Sequence, residues 1–456
     1  MSYQRFETDW LSSRPIFYNE VTKKVSDNVK DVIDTDDVVF HPEGLNNYLD
    51  YGYSVFGQTP VQDVKFLPPN SRLTISKDQI TVESLPDPIE YWENKTTTPE
   101  EALEQLEDFI QKWEKSVQGN IVIPTSGGYD SRLLNYFIKD KSRVRTFTYG
   151  ISRFQENSFE ANYAHELSNI LGTQWQRVEL GDFHKYIEAW NQLFGVSTHA
   201  HGMYHIEFYY KISQFIDTVK APLLSGIVGD IWAGSITYNR FSTVEDLKKL
   251  SYNHSMHADS KYSLLKSSNF LKENYLSQNK EKLNDEFFQV VELVRFKMIL
   301  LCYLLKVPKN IYGFDVWSPF LSPEVALSML TIPSKYRQNR LWQKNFFDSH
   351  GLALEKMNLG GSRLNDLNYR AMMMSPLRPL DVNVLSRVMK RNYVEWINRK
   401  VRPFTTFSDV PWKARRIPRV SGGLRRIGIQ NPRLKAYFAY LTLKPIESLL
   451  LAQGKS

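Results

Sequence analysis

The sequence predicts an α/β protein with a parallel sheet, a small and mainly β N-terminal domain, and a helical, basic C-terminal region. A β-branched apolar run at residues 121–123 ends at paired glycines, and a helical pattern follows at once. Two further strand candidates, residues 145–150 and 175–180, flank a helix candidate at residues 163–171. Strands that alternate with helices are typical of a parallel sheet with crossover helices.

The turn after the first strand reads Ser-Gly-Gly-Tyr-Asp-Ser and has the composition of an anion site. Gly127 and Gly128 let a ligand approach the backbone, and Ser126 and Ser131 add hydroxyl donors at a helix N-terminus. Asp130 would repel a bare phosphate, so it favours a Mg²⁺ ion between carboxylate and phosphates. The turn lacks the Lys-Ser/Thr ending of a P-loop. A glycine-rich turn without a ligand is the alternative.

This turn resembles the pyrophosphate-binding loop of the asparagine synthetase-like ATP pyrophosphatases, and the resemblance covers residues 40–350. These enzymes adenylate a carboxylate with ATP, release pyrophosphate and let an amine displace AMP. The resemblance implies an adenine-nucleotide α-hydrolase-like (PP-loop) synthetase domain that acts as a carbon–nitrogen ligase with ATP and Mg²⁺. It also implies that the first loop and the next strand bind the nucleotide, through Ser126, Gly127, Gly128, Asp130, Ser131, Phe147, Tyr149 and Gly150.

Residues 223–234 resemble the second signature of that family, an apolar strand followed by Ser-Gly, an acidic pair and a glycine pair. The resemblance implies that Gly226 contacts the nucleotide and that Asp230 binds the metal together with Asp130. The chain departs from the family pattern at four positions, where two Glu, one Arg and one Asp are usual: Ile227, Ile231, Trp317 and Ser322. Because of these departures, the alternative is that the protein is a catalytically degenerate relic that only binds a nucleotide.

A pair of cations follows the Ile-Pro stretch of the chain. In the family, a Lys and an Arg four residues later steady the reacting phosphate. Arg340 and Lys344 match this spacing with the two residue types exchanged, and one helix face would carry both. We therefore predict that Arg340 and Lys344 are catalytic, beside Asp130 and Asp230. A surface helix with two solvated cations is the alternative.

Three of the nine histidines, His199, His201 and His205, lie within seven residues. The equivalent stretch of the family opens a helix that lines the acceptor pocket. The resemblance therefore implies that these imidazoles bind substrate or take a proton from an attacking amine. Solvated histidines at a helix start, or a zinc site without a recognised fourth ligand, are the alternatives.

Residues 45–92 resemble the end of the glutaminase domain of asparagine synthetases, through the stretches at residues 47–53, 64–70 and 91–92. In that family, an N-terminal cysteine of the glutaminase domain cleaves glutamine. Here position 2 is Ser2, and the one cysteine of the chain is Cys302, in the second half of the sequence. We predict that residues 1–95 form a truncated, non-hydrolytic glutaminase-like domain, and that residues 96–355 form the synthetase domain. The amine or ammonia would then come from solution or from a separate glutaminase partner.

The C-terminal region, residues 356–456, has a different character. From residue 361 onward it holds nineteen Lys and Arg against five Asp and Glu. Such a region suits a phosphorylated substrate or an anionic membrane surface. Nucleic acid is not expected as a partner, because no recognised nucleic-acid motif is present. The alternative is a helical cap over an acidic main body. Basic clusters stand at residues 390–391, 399–402, 413–419 and 425–426.

Composition agrees with a large enzyme. The chain has 456 residues, of which 42% are hydrophobic, and no run of eighteen uncharged apolar residues occurs. The N-terminus lacks the apolar core of a signal peptide, and a single cysteine excludes an intrachain disulfide. These features predict a cytoplasmic location.

The small-molecule carboxylate substrate is not encoded in any motif. Family members with shortened N-terminal domains suggest a uronic-acid sugar in surface polysaccharide biosynthesis. Peptide cyclisation, or adenylation of a group other than a carboxylate by a PP-loop enzyme, are the alternatives.

Overall fold

The computed structural model describes residues 3–76, 79–251, 257–402 and 431–453. Its strands are β1 Gln4–Glu7, β2 Phe17–Asn19, β3 Val25–Ser26, β4 Val64–Phe66, β5 Ser71–Ile75, β6 Ile80–Ser84, β7 Ile121–Pro124, β8 Val144–Tyr149, β9 Gln174–Val178, β10 Pro222–Leu224 and β11 Asp315–Trp317. Its α-helices are α1 Val29–Val32, α2 Pro42–Tyr51, α3 Pro99–Ser116, α4 Tyr129–Phe137, α5 Phe159–Leu171, α6 Ile187–Phe194, α7 Tyr204–Ile212, α8 Gly229–Trp232, α9 Phe270–Asn284, α10 Glu286–Leu301, α11 Tyr303–Tyr312, α12 Pro323–Leu330, α13 Ser334–Arg337, α14 Leu341–Ser349, α15 Leu367–Met374, α16 Val382–Leu385, α17 Arg391–Val401 and α18 Pro432–Ala452.

A five-stranded parallel sheet forms the centre, with the order β11-β10-β7-β8-β9. Strands β7 and β10 are apolar and buried because helices cover both faces of the sheet. Leu223 pairs with Val122, and Ile123 pairs with Thr146, so the carboxyl ends of β7, β8 and β10 meet at one edge. The sequence prediction of a mixed α/β fold with a parallel sheet is confirmed.

The N-terminal segment contains two small antiparallel sheets, β1-β5-β6 and β3-β2-β4. It packs directly on the central part of the chain. Trp10 stacks on Trp232 with ring centroids 5.7 Å apart, and its indole N–H donates to the Leu321 carbonyl at 2.8 Å. The predicted division into residues 1–95, 96–355 and 356–456 stays a prediction. One buried cluster nonetheless contains residues from all three segments, among them Phe17, Trp190 and Tyr437.

The described C-terminal helices pack into that same cluster. Tyr393, Val394, Ile397 and Val401 form the buried face of α17, which packs against α18. The apolar side of this amphipathic helix is therefore covered within the chain, while its basic side faces outward. The clusters at residues 413–419 and 425–426 lie outside the described residues. None of the described helices, α18 included, is long and apolar enough to cross a membrane.

A buried histidine joins α18 to the 3₁₀ helix Phe183–Tyr186. The imidazole of His184 lies 2.7 Å from the Ser375 carbonyl through Nδ1 and 2.8 Å from the Tyr437 hydroxyl through Nε2. The carbonyl can only accept, so Nδ1 carries the proton of the neutral ring and Nε2 accepts from Tyr437. Burial lowers the pKa of His184 from 6.5 to about 4.

We expect this contact to make the fold sensitive to acid. A depressed histidine pKa contributes stability that is present above pH 6.5 and is lost as pH falls through 4. His184→Gln should lower the free energy of unfolding at pH 7 by about 1–3 kcal/mol, because buried partners lose a bond. The difference in free energy of unfolding between the variant and the wild type should be smaller at pH 4.5, because the wild type there also loses the stability that neutral His184 contributes. Urea unfolding at both pH values tests this, and a deficit that grows in acid would contradict it.

Candidate active site

The turn between β7 and α4 forms an anion-binding cradle. Gly127 has φ +70°, and a Cβ there would lie 2.4 Å from Cβ of Tyr163, so only glycine lets the turn lie against α5. Gly128 caps α4, and no side chain of the described residues caps the N–H groups of the first helical turn. The Ser126 hydroxyl accepts from the Gly128 N–H at 3.3 Å, and the Ser131 hydroxyl donates to the Gly128 carbonyl at 3.1 Å. The first-turn N–H groups therefore suit an anion.

Asp130 and Asp230 come together where β7 and β10 end. A Cβ on Gly229 would lie 2.9 Å from the Asp130 carboxyl carbon, so the second signature packs directly on Asp130. Oδ1 of Asp130 is buried and has no hydrogen-bond partner among the described residues. Burial, with the nearby Asp230 charge, raises the pKa of Asp130 from 3.8 to about 8. Oδ2 of Asp230 accepts from the Ser235 hydroxyl at 3.0 Å.

The second signature is strained. Val228 has φ +57°, a left-handed conformation that is costly for a β-branched residue and clusters at functional sites. The glycine that the packing requires is Gly229, because its Cβ would lie 2.8 Å from the Phe320 ring. At Gly226, which the sequence analysis assigned to the nucleotide, a Cβ would meet Asp130 at an ordinary 3.5 Å.

A pair of alanine substitutions exploits this difference. Gly229→Ala should displace the Asp130 carboxylate and weaken binding of Mg²⁺–ATP at least tenfold, because the added methyl overlaps the carboxyl carbon. Gly226→Ala places a methyl group at an ordinary distance from the same aspartate and should weaken binding less than Gly229→Ala does. Calorimetric titration of both variants measures this effect. An equal loss of affinity in the two variants would show that the close packing of Gly229 on the Asp130 carboxylate is not the cause.

Arg340 also lies close to Asp130. Its guanidinium carbon lies 4.6 Å from the ring centroid of Tyr129, and its charge favours the ionised form of Asp130, which partly offsets the raised pKa. Its backbone is left-handed, with φ +58°, as is that of Asn339. Helix α14 therefore begins after Arg340, and the prediction that Arg340 and Lys344 share a helix face is wrong. Lys344 is exposed on α14 and has no ion-pair partner among the described residues.

Two polar residues near the carboxylates carry no sequence motif. Gln343 on α14 is fully buried, and neither atom of its amide has a hydrogen-bond partner in the described part of the chain. It lies close enough to Asp130 to favour the carboxylate form. Lys297 on α10 is half-buried; burial lowers the pKa of its ammonium group, and the Asp230 charge opposes this. Lys297 therefore adds a cation to the carboxylate pair.

Arg132 holds the cradle in place and was missed by motif reasoning, although it follows Asp130 by two positions. Its fully buried guanidinium donates to the Gly127 carbonyl at 2.8 Å, the Leu352 carbonyl at 2.7 Å and the Glu355 carboxylate at 2.9 Å. A bidentate bond to a carboxylate fixes the plane of the guanidinium. The turn after β7 is thereby tied to the segment that follows α14.

Strand β8, which the family resemblance assigned to nucleotide binding, ends in a tight turn. The Phe147 side chain is buried, and its carbonyl already accepts from the Thr125 N–H at 2.9 Å. A Cβ on Gly150 would lie 2.2 Å from the Gln155 carbonyl oxygen, so the turn itself requires this glycine. Tyr149 points toward α7 and meets Phe208 with ring centroids 5.2 Å apart. Nucleotide contacts by these residues stay a prediction.

The three histidines gather next to Tyr149. The His199 and His201 rings stack at 5.4 Å, and the His205 ring lies 6.2 Å from that of Tyr149. Burial lowers the pKa of His205 to about 3, and burial with His201 and His257 lowers that of His199. His199 and His205 are therefore neutral at pH 7. His257 was not anticipated from sequence.

The zinc alternative finds no support in the described ranges. No group of three or more His, Cys, Asp or Glu side chains there has the arrangement needed to hold a metal ion. The second alternative was a helix start with solvated histidines. His199 and His205 do not fit it, because both imidazoles are buried. His199 and His205, which are buried and neutral at pH 7, form an aromatic surface with Tyr149 beside the end of β8.

Comparison with known proteins leaves the family open. No protein-family model matches the chain, and no curated protein matches it. Among solved structures, it is similar to an NH3-dependent NAD synthetase from Campylobacter jejuni subsp. jejuni NCTC 11168 in complex with the nitrate ion, at 17% identity. That match covers 46% of this chain and 96% of the other, with a TM-score of 0.24, which is too low to establish a shared fold.

Proposed function

We propose that this protein is an ATP-dependent carbon–nitrogen ligase that adenylates a carboxylate and releases pyrophosphate. The observation that carries the proposal is the meeting of Asp130 and Asp230 beside the uncapped N-terminus of α4. The two carboxylates follow neighbouring parallel strands, where ligands of open α/β sheets bind. The resemblance of the two loops to the asparagine synthetase-like signatures supports the same reading.

The residues present fit a divalent cation. Oδ1 of Asp130 is buried without a partner, and two adjacent carboxylates suit Mg²⁺, which prefers one or two carboxylates plus substrate phosphates. Asp130 and Asp230 would hold the ion, and Mg²⁺ would supply charge neutralisation for the β- and γ-phosphates. A raised Asp130 pKa also agrees with a carboxyl group that ionises fully only beside a cation.

The chain's own groups account for the rest of the chemistry. The N–H groups at the start of α4 receive the departing pyrophosphate, and the Arg340 guanidinium, which lies over Tyr129, adds a positive charge beside them. A carboxylate oxygen of the substrate attacks the α-phosphorus, and the bond to pyrophosphate breaks. An amine then attacks the acyl carbon, loses a proton, and AMP leaves with the former carboxylate oxygen.

The acceptor pocket is proposed to lie at Tyr149 and the three histidines. The neutral imidazoles of His199 and His205 suit hydrogen bonds to hydroxyl or amine groups better than ion pairs with an acidic substrate. A uronic-acid sugar, whose hydroxyls such a surface can bind, is our candidate carboxylate. Peptide cyclisation is the second candidate. The third is a non-catalytic, nucleotide-binding role, which Ile227 and Ile231 favour because the family usually has Glu at both positions.

ATP–pyrophosphate exchange tests the proposal. The purified protein is incubated with Mg²⁺, ATP, labelled pyrophosphate and a panel of uronic acids, amino acids and peptides. Exchange that depends on one carboxylate and stops with a chelator supports the ligase. Mg²⁺-dependent ATP binding without exchange by any compound would favour the relic, and exchange with a substrate that lacks a carboxylate would favour a different adenylating enzyme.

We expect glutamine not to serve as nitrogen source through this chain alone. The single cysteine, Cys302, is buried, and burial raises the pKa of its thiol to about 12, so it is no nucleophile at neutral pH. The purified protein should release no glutamate from glutamine above a heat-treated control. Stoichiometric glutamate release coupled to product formation would contradict this.

A further inference from the structure

A cavity of about 420 Å³ lies between the N-terminal segment and the edge strand β11. This volume is within the range of small-molecule pockets. Its walls include Arg14, Lys306 and Trp317, and it contains none of the residues assigned to the active site. Phe320, which packs against Gly229 and lies in sequence between the wall residues Ser318 and Leu321, is fully buried. The cavity is therefore a separate site.

The floor of this cavity is apolar. The Trp317 indole stacks on that of Trp113, with ring centroids 5.0 Å apart and an interplanar angle of 10°, and this fixes its orientation. A rigid aromatic surface of this kind binds flat apolar groups at little entropic cost. The other apolar wall residues are Phe109, Leu305, Val316 and Leu321.

The rim is cationic. Arg14, Lys306 and Lys309 face a single carboxylate, Asp27. The Lys306 ammonium donates to the Asp27 backbone carbonyl at 2.6 Å, which leaves its charge uncompensated. Within the described ranges, neither Arg14 nor Lys309 takes part in a salt bridge, and both are exposed. The rim therefore carries an excess of positive charge over an apolar floor.

A buried hydroxyl adds a polar group to the wall. Ser318 follows β11 and is 4% exposed, and its Oγ has no hydrogen-bond partner among the described residues. An unsatisfied buried hydroxyl is costly unless a ligand or water completes it. Polar groups that converge on an apolar cavity are the usual composition of a ligand site.

We propose that this cavity binds a small organic anion with an apolar, planar body, such as an aryl or short acyl carboxylate. The body lies on Trp317 and Leu305, and the anionic group points toward Arg14 and Lys309. An uncharged analogue keeps the apolar contact and loses the ion pairing. The proposal does not depend on ATP or on the carboxylate pair.

Calorimetry with 1-naphthylacetate and its uncharged amide tests the proposal on the full-length, nucleotide-free protein. One equivalent of the acid should bind, and the amide should bind at least tenfold more weakly. Arg14→Glu with Lys309→Glu should weaken binding of the acid at least tenfold. The control is Lys248→Glu with Lys266→Glu, which changes the charge equally at exposed sites away from the cavity and should leave binding unchanged.

A second variant blocks the cavity itself. Ser322 lines the cavity, and Ser322→Trp should abolish binding of the acid, because the indole takes up the space that the ligand needs. Equal affinity for acid and amide, no effect of the rim variant, or no binding at millimolar concentration would each overturn the proposal. The Asp130→Asn protein should bind the acid normally, which separates this result from the fate of the proposed function.

Discussion

Asp130→Asn should abolish pyrophosphate release, with a loss of at least 10³-fold in ATP–pyrophosphate exchange. The amide keeps the size of the side chain but cannot supply the negative charge that a divalent cation requires. The unpartnered Oδ1 and the adjacent Asp230 indicate that the carboxylate is placed for a ligand and not for packing. Wild-type exchange in this variant would remove Asp130 from the site.

The same substitution should stabilise the protein in the absence of nucleotide. The folded-state pKa of Asp130 is raised from 3.8 to about 8, so its contribution to stability is full below pH 3.8 and is lost as pH rises through 8. Asparagine does not titrate and avoids this loss. At pH 8.5 we expect the variant's free energy of unfolding to exceed that of the wild type by about 1–3 kcal/mol, after discounting water penetration.

Urea unfolding at pH 5 and pH 8.5, without divalent cations, separates a functional from a structural role. The advantage of the variant should grow with pH, and saturating Mg²⁺–ATP should reverse it by stabilising only the wild type. Asp37→Asn, at an exposed position, is the control and should show neither effect. A variant less stable than the wild type at pH 8.5 would show that Asp130 is a structural carboxylate.

Arg340→Met should slow single-turnover adenylate formation by about 10²–10³-fold, the usual cost of removing a donor to developing charge. The guanidinium already lies over Tyr129 beside the N-terminus of α4, and the left-handed backbone at Asn339 and Arg340 directs it there. Arg340→Lys should recover part of the rate, because it restores the charge without the planar fork of donors.

Lys344→Met is the matched control, because Lys344 carries the same charge on α14 and is exposed. It should change the rate by less than threefold. An equal loss in the Lys344 variant, or a change below tenfold in Arg340→Met, would show that the cation lies elsewhere. Lys297, the half-buried cation near Asp230, is then the residue to test, through the same rapid-quench measurement with Lys297→Met.

The sequence predicted the parts of the site that depend on local chemistry. The turn after β7 could be predicted from the sequence, because paired glycines between an apolar strand and a helix are typical of a turn that leads into an anion-binding helix N-terminus. The family resemblance implied that Asp130 and Asp230 share one site, and in the structure the two residues lie together because they follow neighbouring strands of the parallel sheet.

Contacts of residues outside the family signatures could not be predicted from the sequence. Lys297 on α10 and Gln343 on α14 lie near the carboxylates, but neither residue belongs to a recognised motif. The left-handed backbone of Arg340 could not be anticipated either, because only surrounding tertiary packing offsets its cost. The helical period therefore placed Arg340 and Lys344 on one face, whereas α14 begins one residue too late for that.

The Arg132 clamp has a consequence for how the protein is made. Its guanidinium joins the turn after β7 to Leu352, a carbonyl 220 positions further along the chain. Translation at roughly 5–20 residues per second leaves about 10–40 seconds between the synthesis of the two ends. During that interval the first signature has emerged without the partner that fixes it. Under the proposed function, a nascent chain should therefore not retain ATP until Leu352 has been made. A ribosome-bound chain that stops before Leu352 should also be a sensitive target for proteases at its glycine turn.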